Sequence, residues 1–286
     1  MPQSDPRPDR RRSPWRDDLA ADTLRGIVTA PRYVAGVMRQ VIRAAAPVRS
    51  APRDEAALET EALFGELITV YEVLNGWAWG QLVRDRYVGY LPATALAVTP
   101  TPATHRVHVP ATLVFSVADI KSPPTLSLSL NCEIASADAG PKLSRLTSGG
   151  FIASAHIALI SQKTADFTAV AERFLDTPYL WGGKTRYGLD CSGLVQVALQ
   201  AAGIAAPRDS DMQAGDLGET VTVGDDLNGL QRGDLVCWKG HIGLMRDAMT
   251  LLHANAFHMA VASEPLVDAV ARIGALPSFR RLQMTS

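Results

Sequence analysis

The 286-residue sequence predicts an α+β protein of several domains, two small β-barrels followed by a domain in which a helix packs on an antiparallel sheet. Three observations lead there. Residues 63–92 run in short apolar-alternating segments broken by tight turns. Residues 105–160 repeat short apolar runs punctuated by Pro123-Pro124 and Gly149-Gly150. Residues 191–199 carry a dense apolar helical pattern and are followed, after residue 230, by three strand-like runs. The length alone exceeds that of an ordinary single domain. A hydrophobic share of 47% with 20% charged residues is enough to bury a core. The formal charge of −1 offers no overall field for nucleic acid or an anionic membrane. Partners must therefore be recognised locally, and no obligate protein partner is evident.

Residues 1–50 read as an N-terminal arm. The first 20 are rich in Pro, Asp and Arg, including Arg10, Arg11 and Arg12, and predict a loosely packed, solvated segment. Between Leu19 and Ala46, Val34, Val37, Met38, Val41 and Ile42 recur at helical spacing and predict a short helical segment. Residues 1–18 contain no apolar run of signal-peptide type, and no stretch approaches the roughly 18 apolar residues that span a bilayer. Cys132, Cys191 and Cys237 are odd in number and widely spaced, which argues against a disulfide framework or a C-x-x-C metal site. A cytoplasmic location is the expectation.

Residues 51–99 predict the first barrel. Leu63 to Tyr71 is rich in β-branched and aromatic residues, Asn75-Gly76 makes a turn, and Trp77 to Val83 alternates with period two. A second turn at Arg84-Asp85-Arg86 precedes Tyr87-Val88-Gly89-Tyr90-Leu91-Pro92. A Gly-Trp pair followed by a Tyr-x-Gly-Tyr-Leu-Pro strand resembles the bacterial SH3-like domain. Trp77 and Trp79 are expected in its core and rim. After a linker at Pro100-Thr101-Pro102-Ala103, residues 104–162 predict a second, divergent SH3-like barrel with strands within 107–115, 126–130 and 151–160. Helical periodicity resumes near Thr164, where Val170, Phe174 and Leu175 share a face.

The chemistry concentrates in the last domain, 163–286. Tyr179-Leu180-Trp181-Gly182-Gly183 leads through a loop to Asp190-Cys191-Ser192-Gly193-Leu194-Val195, and Gly203 marks the expected end of the helix. Asp190 and Ser192 are favourable helix-start residues, so Cys191 is placed at the positive end of a buried helix. A thiolate there is stabilised, and the thiolate is the nucleophile in thiol chemistry. Gly233-Asp234-Leu235 enters a strand, Lys239-Gly240 turns, and His241-Ile242-Gly243 opens the next strand. Leu252-His253-Ala254 lies on a third strand, from which His253 can reach the far ring nitrogen of His241 and fix its tautomer.

These five segments, in this order, resemble the motifs of NlpC-type, papain-like cysteine peptidases over roughly residues 165–286. The resemblance implies a triad of Cys191, His241 and His253, with no metal or organic cofactor. Pro207-Arg208-Asp209-Ser210-Asp211-Met212-Gln213 is similar to a segment of γ-D-glutamyl-L-diamino acid endopeptidases, which also carry SH3-like domains ahead of the peptidase. The resemblance then implies cleavage of murein peptides that keep a free N-terminal L-Ala, in the recycling of cell-wall peptides. An ammonium group at the end of a cleft needs a carboxylate and further acceptors, which Asp209 and Ser210 can supply. Tyr179, Asp190 and Ser192 are the other substrate-binding candidates of this domain. Glu61 and Tyr87 match the acidic residue and tyrosine with which the first SH3-like domain closes the cleft in relatives.

Each feature also has a plainer reading. Free cysteine is often an inert core residue, which suits Cys132 and Cys237. Asp209 and Ser210 could cap the helix through Met212, Tyr87 could be barrel core, and Arg208 could order its loop. At the level of the whole chain, the alternative is a protein that binds cell-wall fragments and keeps an inactive or acyltransferase-like catalytic domain.

Overall fold

A computed structural model of the protein describes residues 7–224 and 227–283. The chain forms two units: residues up to 106 with 113–128 and 132–155, and residues 107–112 with 129–131 and 156 onward.

The first unit contains a seven-stranded sheet in the order Leu58–Leu63, Ala45–Arg49, Val88–Pro92, Trp77–Leu82, Leu67–Leu74, Val37–Val41, Leu96–Ala97. Neighbouring strands are antiparallel throughout. Asn75 and Gly76, both at positive φ (51° and 82°), join Leu74 to Trp77 as the two-residue turn the sequence predicts. Val41, Val48, Ile68, Leu82 and Leu91 fill the core, and Trp79 is buried outside that cluster, its ring 5.6 Å from that of Tyr71.

Two expectations for residues 1–50 do not hold. Val37–Val41 and Ala45–Arg49 are sheet strands, not a helix. Of the residues that suggested a helical face, Val41 is buried whereas Val37, Met38 and Ile42 are exposed, so they mark no common face. These β-branched residues find strand partners instead. The arm is also packed, although its residues 1–6 lie outside the described ones. Trp15 is only 4% exposed and clusters with Ala20 and Val28. Arg16 bonds Glu72 and lies 4.5 Å over the Trp79 ring. The carbonyls of Arg11 and Arg12 accept from the Val88 N–H and the Gln81 side chain. Arginines that looked solvated are paired with Asp9, Asp17, Asp18 and Glu72.

Residues expected to form a second barrel contribute a five-stranded sheet in the order Pro124–Ser129, Ala111–Phe115, Phe151–Ala153, Leu143–Leu146, Ser136–Asp138. Val114, Leu128, Leu146 and Ile152 are its buried apolar residues.

The second unit is built on a six-stranded antiparallel sheet in the order Glu219–Val221, Ser278–Arg281, Leu235–Trp238, His241–Met245, Thr250–Asn255, Ala260–Pro265. Among the described residues four α-helices accompany it: α1 (Phe167–Glu172), α2 (Cys191–Ala201), α3 (Ser210–Asp216) and α4 (Leu266–Ile273). The apolar side of α2, with Leu194, Val195 and Ala198, shares one core with Ile242, Leu244 and Leu252 of the sheet. Each of these leucine, valine and isoleucine side chains contributes about 1.5–3 kcal/mol by leaving water. Asn131 is tied to α2, its side-chain amide donating to the Val197 carbonyl at 2.9 Å. Among the described residues no helix is long and apolar enough to cross a membrane.

Candidate active site

Helix α2 begins where the sequence places it. Asp190 is its N-cap, and one carboxylate oxygen accepts from the Gly193 N–H at 2.7 Å. The other accepts from the Gly182 N–H at 2.7 Å, which draws the Tyr179–Gly183 loop onto the helix start. Gly182 has a left-handed φ of 78°. A Cβ at Gly193 would lie 2.2 Å from the Gly183 carbonyl oxygen, so only glycine permits this approach. Arg208, 1% exposed, grips both oxygens of Asp190 at 2.9 and 2.6 Å and also donates to Ser192 Oγ at 2.8 Å. Gln213 on α3 donates to the Ser192 carbonyl at 3.0 Å. The turn of chain around Cys191 is thus held by a buried polar network.

Cys191 is 8% exposed. Its sulfur receives hydrogen bonds from the backbone N–H groups of Ser192 and of Ile242, the residue after His241. Burial and the neighbouring Asp190 carboxylate push the thiol pKa up, against the opposing pull of those N–H groups and of Arg208. The expectation of a depressed thiol pKa is therefore corrected: removal from water outweighs the helix-start donors.

His241 opens the His241–Met245 strand after Gly240, whose φ is 77°. Its Nε2 lies 2.8 Å from Nδ1 of His253 on the neighbouring Thr250–Asn255 strand. Gly243 makes room for this pair, since a Cβ there would lie 3.0 Å from that of His253 and 2.8 Å from Leu251. His253 Nε2 in turn lies 2.8 Å from Oε1 of Glu264. Both oxygens of Glu264 are held by Arg272 of α4, at 2.5 and 2.6 Å. Burial lowers both imidazoles to about 4, with the neighbouring His253 and Arg272 adding to the effect at His241. At neutral pH the thiol and both rings are uncharged. Such a set can pass a proton from sulfur to His241 as the sulfur attacks a carbonyl carbon. His253, His258 and Glu264 also bring three possible ligand atoms within 4.8 Å of one another. The Arg272 guanidinium on Glu264 opposes a dication there, because it already neutralises the carboxylate.

The model of the NlpC/P60 family matches residues 176–270, a stretch that contains Cys191, His241 and His253. The second unit contains an NlpC/P60 family domain. The bacterial dipeptidyl-peptidase SH3 domain matches residues 48–96. The chain is 27% identical over 219 residues to the γ-D-glutamyl-L-lysine dipeptidyl-peptidase of Bacillus subtilis, covering 69% of this chain and 72% of that one. It is 34% identical over 82 residues to dipeptidyl-peptidase 6 of Lysinibacillus sphaericus, spanning only 29% of either protein. A crystal structure of an NlpC/P60 family protein from Bacillus cereus superposes with a TM-score of 0.72 at 20% identity, over 85% of this chain and 99% of the other. The structural likeness shows the fold, and the family match falls on residues 176–270.

Of the predicted residues of the NlpC/P60 domain, His241 and His253 meet at 2.8 Å, and the Cys191 sulfur accepts from the N–H of Ile242, the residue after His241. Tyr179 lies close enough to Cys191 and Asp190 for their charges to help burial raise its phenol to about 12, so it stays protonated. Asp190 and the Ser192 hydroxyl are engaged within the chain, and Arg208 orders this network as its plainer reading held. Asp209 stands at the N-cap position of α3, but its side chain makes no capping bond, and Ser210 follows on the helix. Both are half-buried. In the first unit, Glu61 is half-buried on the Leu58–Leu63 strand, whereas Tyr87 is 2% exposed and packs in the barrel core. Packing accounts for Tyr87. Glu264 and Arg272 were not foreseen. The only sequence signal for Glu264 is an acidic residue about a strand and a turn beyond His253, too common to single it out.

Proposed function

We propose that this NlpC/P60 protein hydrolyses the γ-D-glutamyl–diamino acid bond of murein peptides that carry a free N-terminal L-Ala. The reading is carried by the position of Asp209 and Ser210. They follow directly on Arg208, whose guanidinium is bonded to the residue before the nucleophile. Asp209 is half-buried and adjoins Arg208 in sequence. It is suited to an ammonium group at the end of a short peptide, with Ser210 as a further acceptor. The similarity to a γ-D-glutamyl-L-lysine dipeptidyl-peptidase supports the same substrate class.

In this mechanism the Cys191 sulfur attacks the γ-carbonyl carbon of D-glutamate while its proton passes to His241. The oxyanion is met by the Cys191 backbone N–H at the start of α2, aided by the Tyr179 hydroxyl. The tetrahedral intermediate collapses to a thioester as His241 gives its proton to the departing amine. Water, deprotonated by His241, then attacks the thioester, and the proton returns to sulfur.

The test uses the tripeptide L-Ala-γ-D-Glu-diamino acid with product masses as the readout. The expected products are L-Ala-D-Glu and the free diamino acid, with no cleavage of the N-acetylated peptide and a raised KM for Asp209→Asn. Equal cleavage of the acetylated peptide would overturn the assignment of Asp209. Wild-type turnover by Cys191→Ser would overturn the nucleophile.

A further inference from the structure

Beyond Cys191, His241 and His253, the second unit contains a charged pair whose position the peptidase chemistry does not by itself require. Glu264 lies on the edge strand Ala260–Pro265, and Arg272 on the last turn of α4. The strand register sets Glu264 opposite Leu251 and His253 opposite Ala262, so Glu264 and His253 are diagonal neighbours.

We propose that Glu264, clamped by Arg272, is a positioning residue that fixes the proton arrangement of the His241–His253 pair and so leaves His241 Nδ1 bare as the base for Cys191. The inference rests on the peptidase reading. Its logic follows the donors along the chain of contacts. Arg272 supplies only donors and occupies both oxygens of Glu264 at 2.5 and 2.6 Å. Glu264 is therefore an ionised acceptor, and the hydrogen between it and His253, 2.8 Å apart, belongs to His253 Nε2. A neutral His253 protonated at Nε2 has a bare Nδ1. That nitrogen can only accept, so the hydrogen in the 2.8 Å contact with His241 belongs to His241 Nε2. A neutral His241 protonated at Nε2 has its lone pair at Nδ1. Without the carboxylate, the reversed arrangement satisfies the His–His contact equally well and leaves His241 no lone pair for the thiol.

The carboxylate has a second effect. Its negative charge favours the protonated form of both rings, and the positive charge of Arg272 disfavours it. The charged and titratable groups facing the pair are Glu264 from the edge strand, Arg272 from α4 and His258 from the turn after the Thr250–Asn255 strand. Asp268 acts on Arg272 from within α4. Removing either member of the clamp thus moves the basicity of His241 in opposite directions.

The experiment compares Glu264→Gln, Glu264→Leu and Arg272→Gln in the full chain, with Cys191→Ser as control. Iodoacetamide alkylation of Cys191, located by peptide mass, gives a pH–rate profile that needs no substrate, and kcat and KM come from the tripeptide assay. Glu264→Gln is expected to shift the acid limb to lower pH, and Arg272→Gln to higher pH. Glu264→Leu, which also removes the acceptor, is expected to lower kcat roughly 10²-fold, with KM held within about twofold. A purely structural role predicts no opposed shifts. Limbs that stay put, or move the same way, in folded Glu264→Gln and Arg272→Gln overturn the proposal. Should Glu264→Leu fail to fold, those two variants decide it. Failure of the peptidase reading would show separately, as turnover retained by Cys191→Ser.

Discussion

Asp190 and Arg208, 18 residues apart in sequence, meet as a two-pronged ion pair almost wholly out of water, at 2.9 and 2.6 Å. The same carboxylate takes the N–H groups of Gly182 and Gly193, so one buried anion joins the loop, the helix start and the segment before α3. Removing only the cation strands a desolvated charge. Arg208→Met is expected to cost about 3–5 kcal/mol, read from urea unfolding, and to lower activity as the loop loosens. A variant as stable as wild type would show that the pair holds nothing in place.

His253 can be tested for what it gives His241. Asparagine at 253 keeps an oxygen that can accept from His241 Nε2, whereas leucine does not. Of two folded variants, His253→Asn should retain more kcat than His253→Leu, within the roughly 10²–10⁴-fold range of acid–base contributions. Equal rates would mean that the ring acts only as packing.

Acid should loosen the second unit before it affects most of the surface. His241 and His253 ionise at about 4 in the folded chain, against an ordinary 6.5. Between those values the unfolded chain binds more protons, so stability is complete above pH 6.5 and declines as pH falls toward 4. Melting temperatures measured across that window should drop for the wild type and change less for a His241→Gln/His253→Gln protein. Parallel curves would contradict the placement of two uncharged rings.

Gly243 is expected to be intolerant of even one methyl group. Its added Cβ would lie 2.8 Å from Leu251 and 3.0 Å from the Cβ of His253. Gly243→Ala should cost about 1–3 kcal/mol as an overpacked site. It should lower kcat more than KM changes, because His253 is the atom group pushed. A folded but destabilised and slow enzyme supports this, and a fully active one refutes it.

Trp15 gives a test within the first unit. Its ring is buried with Ala20 and Val28 and its indole N–H donates to the Pro8 carbonyl at 2.8 Å. Trp15→Ala should cost the first unit about 3–5 kcal/mol and expose the arm to limited proteolysis, while Cys191 alkylation stays unchanged.

The catalytic half of the molecule was largely readable from local pattern. Helix α2 announces itself by Asp190, a dense apolar run and Gly203, and the histidines sit on strands flanked by glycine turns. Glu264 escaped because a charged residue on an edge strand is ordinary protection against aggregation, and its meeting with His253 depends on register, which no local pattern contains. The arm and the first strands were misread for the opposite reason. Spacing of three and four residues between Val34, Val37, Met38, Val41 and Ile42 imitates a helix, and three of the five point to solvent from strands or a strand end. Paired arginines looked like free ones, since their partners at Asp18 and Glu72 become partners only in the fold.

The Val37–Val41 strand lies between Leu67–Leu74 and Leu96–Ala97. A fragment cut at the recognisable SH3 limits, residues 48–96, would discard it and split the Ala45–Arg49 strand as well. Two rows of backbone donors and acceptors would then open along the barrel, and such a module would self-associate rather than serve as a monomeric binding domain. Anyone dissecting this protein should begin upstream of Trp15.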